Sequence, residues 1–485
     1  MTANTLHSAL LLHQPDAAPF LSSPGDGVLS YGDLRRRVAQ TAAHLQMAGV
    51  SSGDRVLCQI AKSPQGLILY LATVAAGAVF VPLNTGYTPA EIDYFLQDAD
   101  PALLILDPTT QAARDVATAR GVAVADADAL TADGEMVPPV PRGPDDLAAI
   151  LYTSGTTGRS KGAMLTHGNL VSNARALCAC WQYTAGDTLL HALPIFHTHG
   201  LFVATNVTLA AGAGMVFLPG FDLDEIAAHL PGCTTMMGVP TFYTRMLTDP
   251  RFSRASLAHM RLIISGSAPL LSETHRAFET RLGHAILERY GMTETNMIAS
   301  NPYDGDRRAG TVGQALPGTS LRIANPDEHG IGGIEVRGPN VTPGYWRNAE
   351  KTAESFTSDG WFITGDLGQV DKDGYLSIVG RQKDLVISGG YNIYPKEVEV
   401  QIDDLPGVLE SAVFGVPHPD MGEAVAAAVV LQDARATTAE ALLAALSERL
   451  ARFKIPRHLD ILDELPRNAM GKVQKNILRQ SFETK

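Results

Sequence analysis

From residue 28 onward the sequence alternates stretches of helical periodicity with short apolar runs, and that alternation limits what the chain can fold into. "LSYGDLRRRVAQTAAHLQMAG" offers Ser30 as a helix N-cap, apolar positions at Leu34, Val38 and Leu45, and Gly49 as a stop. The strand-like "RVLCQI" follows, then an apolar helix feeding a strand in "GLILYLATVAAGAVFVPL" (66–83), the helix "PAEIDYFLQDA" and the strand "ALLILD". Apolar runs of strand length between helices predict parallel βαβ units covered on both faces. After a Pro-rich connector, "MVPPVPRGPDD" (136–146), the pattern resumes with "AAILYT", "TLLHALP", "GMVFLPG", "TTMMGVP", "RLIISGSA" and "AILERYG".

Residues 310–380 change character: Gly-rich turns separate short strands such as "GIGGIEVRGPN" and "GYLSIVG", which predicts a small β-rich lobe. Beyond "GRQKD" the pattern becomes α+β, through "YPKEVEVQIDDLPG", "SAVFGVP" and "AVAAAVVL", and then a helix over "AEALLAALSERLARFK". The expected fold class is α/β. A large N-terminal domain of layered, mostly parallel sheets with helices spans 1–382 and includes the β-rich lobe. A small α+β C-terminal domain spans 383–485, with a hinge near Lys383.

A chain of 485 residues exceeds a single core, in keeping with two domains. The formal net charge of −13 argues against nucleic acid or an anionic membrane surface as the main partner, while leaving room for a local anion pocket. The four cysteines, Cys58, Cys178, Cys180 and Cys233, are too scattered for a disulfide framework or a zinc site. No basic n-region opens the sequence, and Gly77 interrupts the one apolar stretch of near-bilayer length. A soluble, cytoplasmic protein without membrane insertion is expected.

The chemistry begins at "TSGTTGRSKG" (153–162), directly after the strand "AAILY". Glycines, hydroxyls and two cations in ten positions form a cradle for phosphate oxygens. A nucleoside-triphosphatase P-loop is excluded because Lys161 is followed by Gly162 rather than by Ser or Thr. "LYTSGTTGRSKGAMLTH" resembles the phosphate-loop signature of the adenylate-forming superfamily, which includes acyl-CoA synthetases, peptide-synthetase adenylation domains and luciferases. "SGSAP" (265–269), "YGMTET" (290–295), "WFITGD" (361–366), "GRQKDLVISGGYNIYPKEVE" (380–399) and "PRNAMGKVQK" (466–475) continue that resemblance in order.

The resemblance implies a two-step reaction: a carboxylate and MgATP give an acyl-adenylate and pyrophosphate, then the thiol of coenzyme A displaces AMP. It assigns Thr153, Ser154, Gly155, Thr156, Thr157, Gly158 and Lys161 to the ATP phosphates, and Gly266, Ser267, Ala268 and Tyr290 to ATP as well. Thr293 would donate to the α-phosphate and Glu294 would hold Mg²⁺, for which a hard carboxylate oxygen is suited. Asp366 would accept from the ribose hydroxyls, Arg381 would approach the ribose and phosphates, and Lys472 would be the main catalytic residue, neutralising developing charge. Ser388, Gly389 and Gly390 would line the path of the coenzyme A thiol arm, with the C-terminal domain rotating about the hinge between half-reactions.

The acid is suggested by Arg289, which immediately precedes "YGMTE". Consecutive strand residues face opposite sides, so Glu288 is poorly placed to cover it. An unpaired guanidinium in the acyl pocket would cost several kcal/mol, whereas a second substrate carboxylate would satisfy it. "GHAILERYGMTETNM", "HALPIFHTHGL" and "GVPTFYTRM" resemble malonyl-CoA synthetases. The expectation is therefore malonate, with methylmalonate if one methyl group fits, and His199 beside the acid as an aromatic gate. His197 and His199 have strand-like spacing, but no third ligand makes them a metal pair. Three alternatives stay open: a short- or medium-chain monocarboxylate CoA ligase with Arg289 turned outward, loading of a carrier protein, and a non-catalytic nucleotide-binding relative.

Overall fold

The helix signals act as written. Ser30 accepts from Asp33 N and the Asp33 carboxylate returns a bond to Ser30 N, closing a capping box on the helix Tyr31–Met47. Gly49, just past its end, adopts φ +92°, a conformation open to glycine at little cost. The structure, a computed structural model, describes residues 3–25, 27–153, 160–388, 391–419, 421–433, 437–468 and 472–483.

The described residues form four sheets. In the first, the strands Val124–Asp126, Leu103–Leu106, Arg55–Gln59, Val79–Pro82 and Leu147–Thr153 run parallel, and Lys161–Thr166 closes the edge antiparallel to Leu147–Thr153. In the second, Leu287–Met292, Leu262–Ser265, Thr235–Gly238, Thr188–His191, Gly214–Phe217 and Pro19–Ser23 are parallel neighbours, with antiparallel strands at both edges.

Helix Pro64–Ala75 is buried from Gly66 to Ala75, and its core is shared with strands of both sheets. Tyr70 on this helix packs on Phe80 and Phe202, ring centroids 5.4 and 5.8 Å away, and donates to Asn206 Oδ1 at 3.2 Å. Gly77, at φ +75°, then turns the chain into the strand Val79–Pro82. The apolar stretch 66–83 is thus a core helix and a core strand, and no described helix is long and apolar enough to cross a membrane.

The third sheet is an antiparallel meander of Ser320–Ala324, Gly332–Arg337, Phe362–Val370 and Leu376–Arg381. The fourth lies wholly after Lys383: Tyr391–Ile393, Val386–Ser388, Gly422–Leu431 and Val408–His418, with His458–Leu462 parallel to Gly422–Leu431. It packs on the helices Pro395–Asp403 and Ala439–Ser447 around cores of its own. Two local expectations are corrected. The helix expected through Lys454 stops at Ser447, and Phe453 instead stacks on Tyr391 with ring centroids 4.5 Å apart, so packing overrides propensity. His197 and His199 are not on a strand, because His199 opens a π-helix, His199–Thr205.

Asp403, at the end of its helix, is 9 % exposed and accepts from Ser411 Oγ at 2.6 Å. Burial pushes its carboxyl up to about 7, against the opposing pull of Lys396. A raised folded-state value gives stability that is present at low pH and lost as pH rises through about 7. Asp403→Asn is therefore expected to melt higher than the wild type at pH 8, with the gap closing toward pH 5. Thermal melts of both proteins across that range check this.

Candidate active site

The strand Leu287–Met292 pairs with Leu262–Ser265 only through Leu287 and Glu288, then leaves it to pair antiparallel with Asn296–Ser300 from Arg289 onward. Arg289 therefore lies just past the carboxyl end of its parallel neighbour, the position where open α/β sheets receive ligands. It sits inside its own strand rather than at the exit. Alternation sends Glu288 the other way, where its carboxylate meets His275 Nδ1 at 3.3 Å. Arg289 is 5 % exposed, and its Nε and Nη2 have no hydrogen-bond partner among the described residues.

Gly266 makes this placement possible: a Cβ there would collide with the Arg289 guanidinium. Burial pushes the Arg289 guanidinium down to about 10, so it stays charged at neutral pH. Around it are groups that cannot neutralise it. Tyr243 donates its hydroxyl to Ile264 O, and the buried Ser265 Oγ has no partner among the described residues. His199 Nδ1 is 3.1 Å from Ser267 Oγ, while its Nε2 has no partner among the described residues. Burial, and then the Arg289 charge, hold His199 well below the usual imidazole value. His197 is brought down to about 3 by burial, then by Lys472 and Arg289. Ser267 holds this turn at φ +70°, a costly conformation for a residue with a side chain.

Strand alternation turns Tyr290 to the opposite face. Its hydroxyl donates to Asp366 Oδ2, and Arg381 Nε lies 2.7 Å from Asp366 Oδ1. Asp366 and Arg381 are cross-strand partners, so the meander sheet delivers this pair as a unit. Burial raises the Asp366 carboxyl, with Arg381 and Tyr290 opposing. Thr364 Oγ1 accepts from Asp366 N at 3.1 Å.

Glu294 is buried in the turn after Thr293, and Tyr345 donates its hydroxyl to Glu294 Oε1 at 2.9 Å. Lys161 faces Thr153 across the hairpin, and its ammonium is lowered by burial and then by Lys351, with Glu354 and Glu294 opposing. The expectations for Ser154, Gly155, Thr156, Thr157 and Gly158 lie outside the described residues, as do those for Gly389 and Gly390. Ser388 is buried at the end of its strand.

Lys472 reaches this centre from the fourth sheet's side of the molecule. Lys472 is exposed along its chain, while its ammonium is lowered by desolvation beside the site and then by Arg381, raised by Asp366 and Glu294, and lowered again by Arg289. The expected residues Lys472, Glu294, Asp366, Arg381 and Arg289 thus converge. A separate cavity of about 380 Å³, lined by Lys62, Phe196, Phe221 and Phe242 among others, contains none of them. Among the described residues no cluster of three or more His, Cys, Asp or Glu could hold a metal ion. A single carboxylate at Glu294 nevertheless fits Mg²⁺, which commonly takes one or two protein carboxylates and completes its shell with phosphates and water.

Sequence reasoning missed Tyr345, Thr364 and the pairing of Gly266 with Arg289. Tyr345 stands 51 positions from Glu294, and nothing local marks it. Gly266 has a detectable signal in retrospect, a small residue at a strand end beside a strand carrying a buried cation. Gly266→Ala should displace the guanidinium and raise KM for the acid by about tenfold or more, the scale of a charged hydrogen bond, a larger factor than for ATP. Steady-state kinetics in both substrates measure the two values.

A family model described as "AMP-binding enzyme" matches residues 11–346, and one described as "AMP-binding enzyme C-terminal domain" matches residues 397–472. The chain is 38 % identical to a feruloyl-CoA synthase of Amycolatopsis over 94 % of this chain and 95 % of that one. It is 36 % identical to a malonate–CoA ligase of Arabidopsis thaliana over 90 % of this chain and 79 % of that one. The crystal structure of ATP-bound MatB from Rhodopseudomonas palustris superposes with a TM-score of 0.96 at 50 % identity, covering 100 % of this chain and 99 % of that one.

Proposed function

The chain belongs to the AMP-binding enzyme family, and from that premise we propose that it ligates malonate to coenzyme A through an acyl-adenylate, releasing AMP and pyrophosphate. The observation that carries the choice of acid is Arg289, a buried cation with two unmet donors and no paired carboxylate among the described residues. The distal carboxylate of a short diacid supplies both acceptors in a bidentate pair. A monocarboxylate leaves the charge buried and unpaired, at a cost of several kcal/mol. The likeness to a malonate–CoA ligase and to MatB supports this reading. The feruloyl-CoA synthase likeness supports the ligase class but not an aryl acid, because an aromatic tail offers Arg289 no anion.

With Arg289 holding the far end, the near carboxylate oxygen of malonate attacks the α-phosphorus of ATP, and the bond to pyrophosphate breaks. Lys472 supplies positive charge where negative charge develops, and Thr293 donates to the same phosphate. Asp366, held between Tyr290 and Arg381, receives the ribose hydroxyls. Glu294 would hold Mg²⁺, which when bound would offset phosphate charge. Neutral His199 lies beside the acid without adding a second cation to Arg289.

In the second step the coenzyme A sulfur attacks the acyl carbon and AMP leaves. For this step residues 383–485 turn about Lys383 relative to 1–382, withdrawing Lys472 and bringing the Ser388–Gly390 segment to the site. A reducing cytoplasm suits the four free cysteines.

Pyrophosphate release with malonate, methylmalonate, succinate and butyrate tests the proposal. Malonate is expected to be fastest, and equal rates with butyrate and malonate would overturn the assignment. Arg289→Ala is expected to lower kcat/KM for malonate about 100-fold or more, as truncation at a desolvated charge pair does, with ATP affinity nearly unchanged.

A further inference from the structure

Lys472 is carried on a hairpin. Gln474 N donates to Pro466 O at 2.8 Å, Arg467 and Val473 form a bridge, and Asn468 N donates to Lys472 O at 2.9 Å. Lys472 N in turn donates to Asn468 Oδ1 at 3.0 Å. The hairpin is internally braced, and its ammonium is balanced between repulsion from Arg381 and Arg289 and attraction to Asp366 and Glu294. A balance of that kind leaves its position to whatever holds the hairpin's arms.

Both arms end in cations that reach back to acids of the fourth sheet and its helix. Arg467 pairs with Glu410 on the strand Val408–His418. Lys475, which begins the helix Lys475–Glu483, places Nζ 2.5 Å from Glu399 Oε1 on the helix Pro395–Asp403. Glu399 is 7 % exposed, and the same Oε1 also accepts from Val413 N at 3.0 Å. It is therefore fixed to the sheet and to the hairpin at once. Burial alone would raise its carboxyl, but Lys475 and then Lys396 hold it below the usual glutamate value. A charged, buried acid with defined partners is a rigid anchor, whereas an exposed pair is not.

We infer that Glu399 is a positioning residue for adenylation, setting the reach of Lys472 through its ion pair with Lys475, with Glu410 and Arg467 bracing the other arm. The inference rests on reading Lys472 as the adenylation lysine. On that reading Lys472 acts in the first half-reaction alone, so loosening its hairpin slows only that step.

Glu399→Gln keeps the shape and an acceptor for Val413 N while removing the charge that holds Lys475. Malonate-dependent ATP–pyrophosphate exchange is expected to fall about tenfold or more, the scale of a displaced catalytic group, through kcat rather than KM. Thioester formation from supplied malonyl-adenylate and coenzyme A is expected to stay near the wild-type rate. If Glu399→Gln does not fold, Lys475→Gln interrupts the same pair from its partly exposed side and is expected to give the same split. Lys472→Ala serves as the reference, since exchange retained there overturns the underlying reading of Lys472. Exchange lost in Lys472→Ala but kept in both pair variants overturns the anchor. Equal loss of both half-reactions in a variant of lowered melting temperature also overturns it, by assigning Glu399 a purely structural role.

Discussion

A guanidinium buried with two donors unmet is the constraint around which the site is organised. Arg289 stays charged at neutral pH, and the groups packed near it are hydroxyls, neutral imidazoles and a glycine backbone. An arrangement of this kind costs several kcal/mol in the free protein and is repaid only by an anion. The neighbourhood is built to keep it so: Gly266 vacates the space the guanidinium fills, and Glu288 is turned away to His275. Stability is given up locally to make a ligand the missing half of an ion pair.

The nucleotide side obeys a different logic. There the charges are already compensated, with Asp366 shared between Tyr290 and Arg381, and Glu294 braced by Tyr345. These pairs preorganise oxygen acceptors for a ribose and a metal–phosphate group without leaving a bare charge. Lys472 stands between the two halves, attracted by Asp366 and Glu294 and repelled by Arg381 and Arg289. On the proposed rotation of the C-terminal domain, a cation so balanced is the one exchanged between half-reactions.

Much of this was legible in the linear chain because it is local. The Ser30 capping box, the run of apolar strands and the helix Pro89–Ala99 follow from patterns a few residues long. Arg289 was legible too, since strand alternation alone removes Glu288 as its partner. What escaped was non-local. Tyr345 reaches Glu294 from a different turn, Gly266 matters only through a side chain on the adjacent strand, and Glu399 grips a lysine 76 positions away. The π-helix at His199 escaped for a related reason. The spacing of His197 and His199 suits a strand, whereas His199 bonds non-locally to Ser267 and locally to His197 as the helix begins.

The most direct measurement is a crystal structure of the protein with malonate and a non-hydrolysable ATP analogue, read at Arg289. The account predicts one malonate carboxylate in bidentate contact with Nε and Nη2 at about 2.8 Å, the other directed to the α-phosphate. Malonate bound with Arg289 still unpaired, or Arg289 satisfied by a protein carboxylate while malonate lies elsewhere, would contradict it.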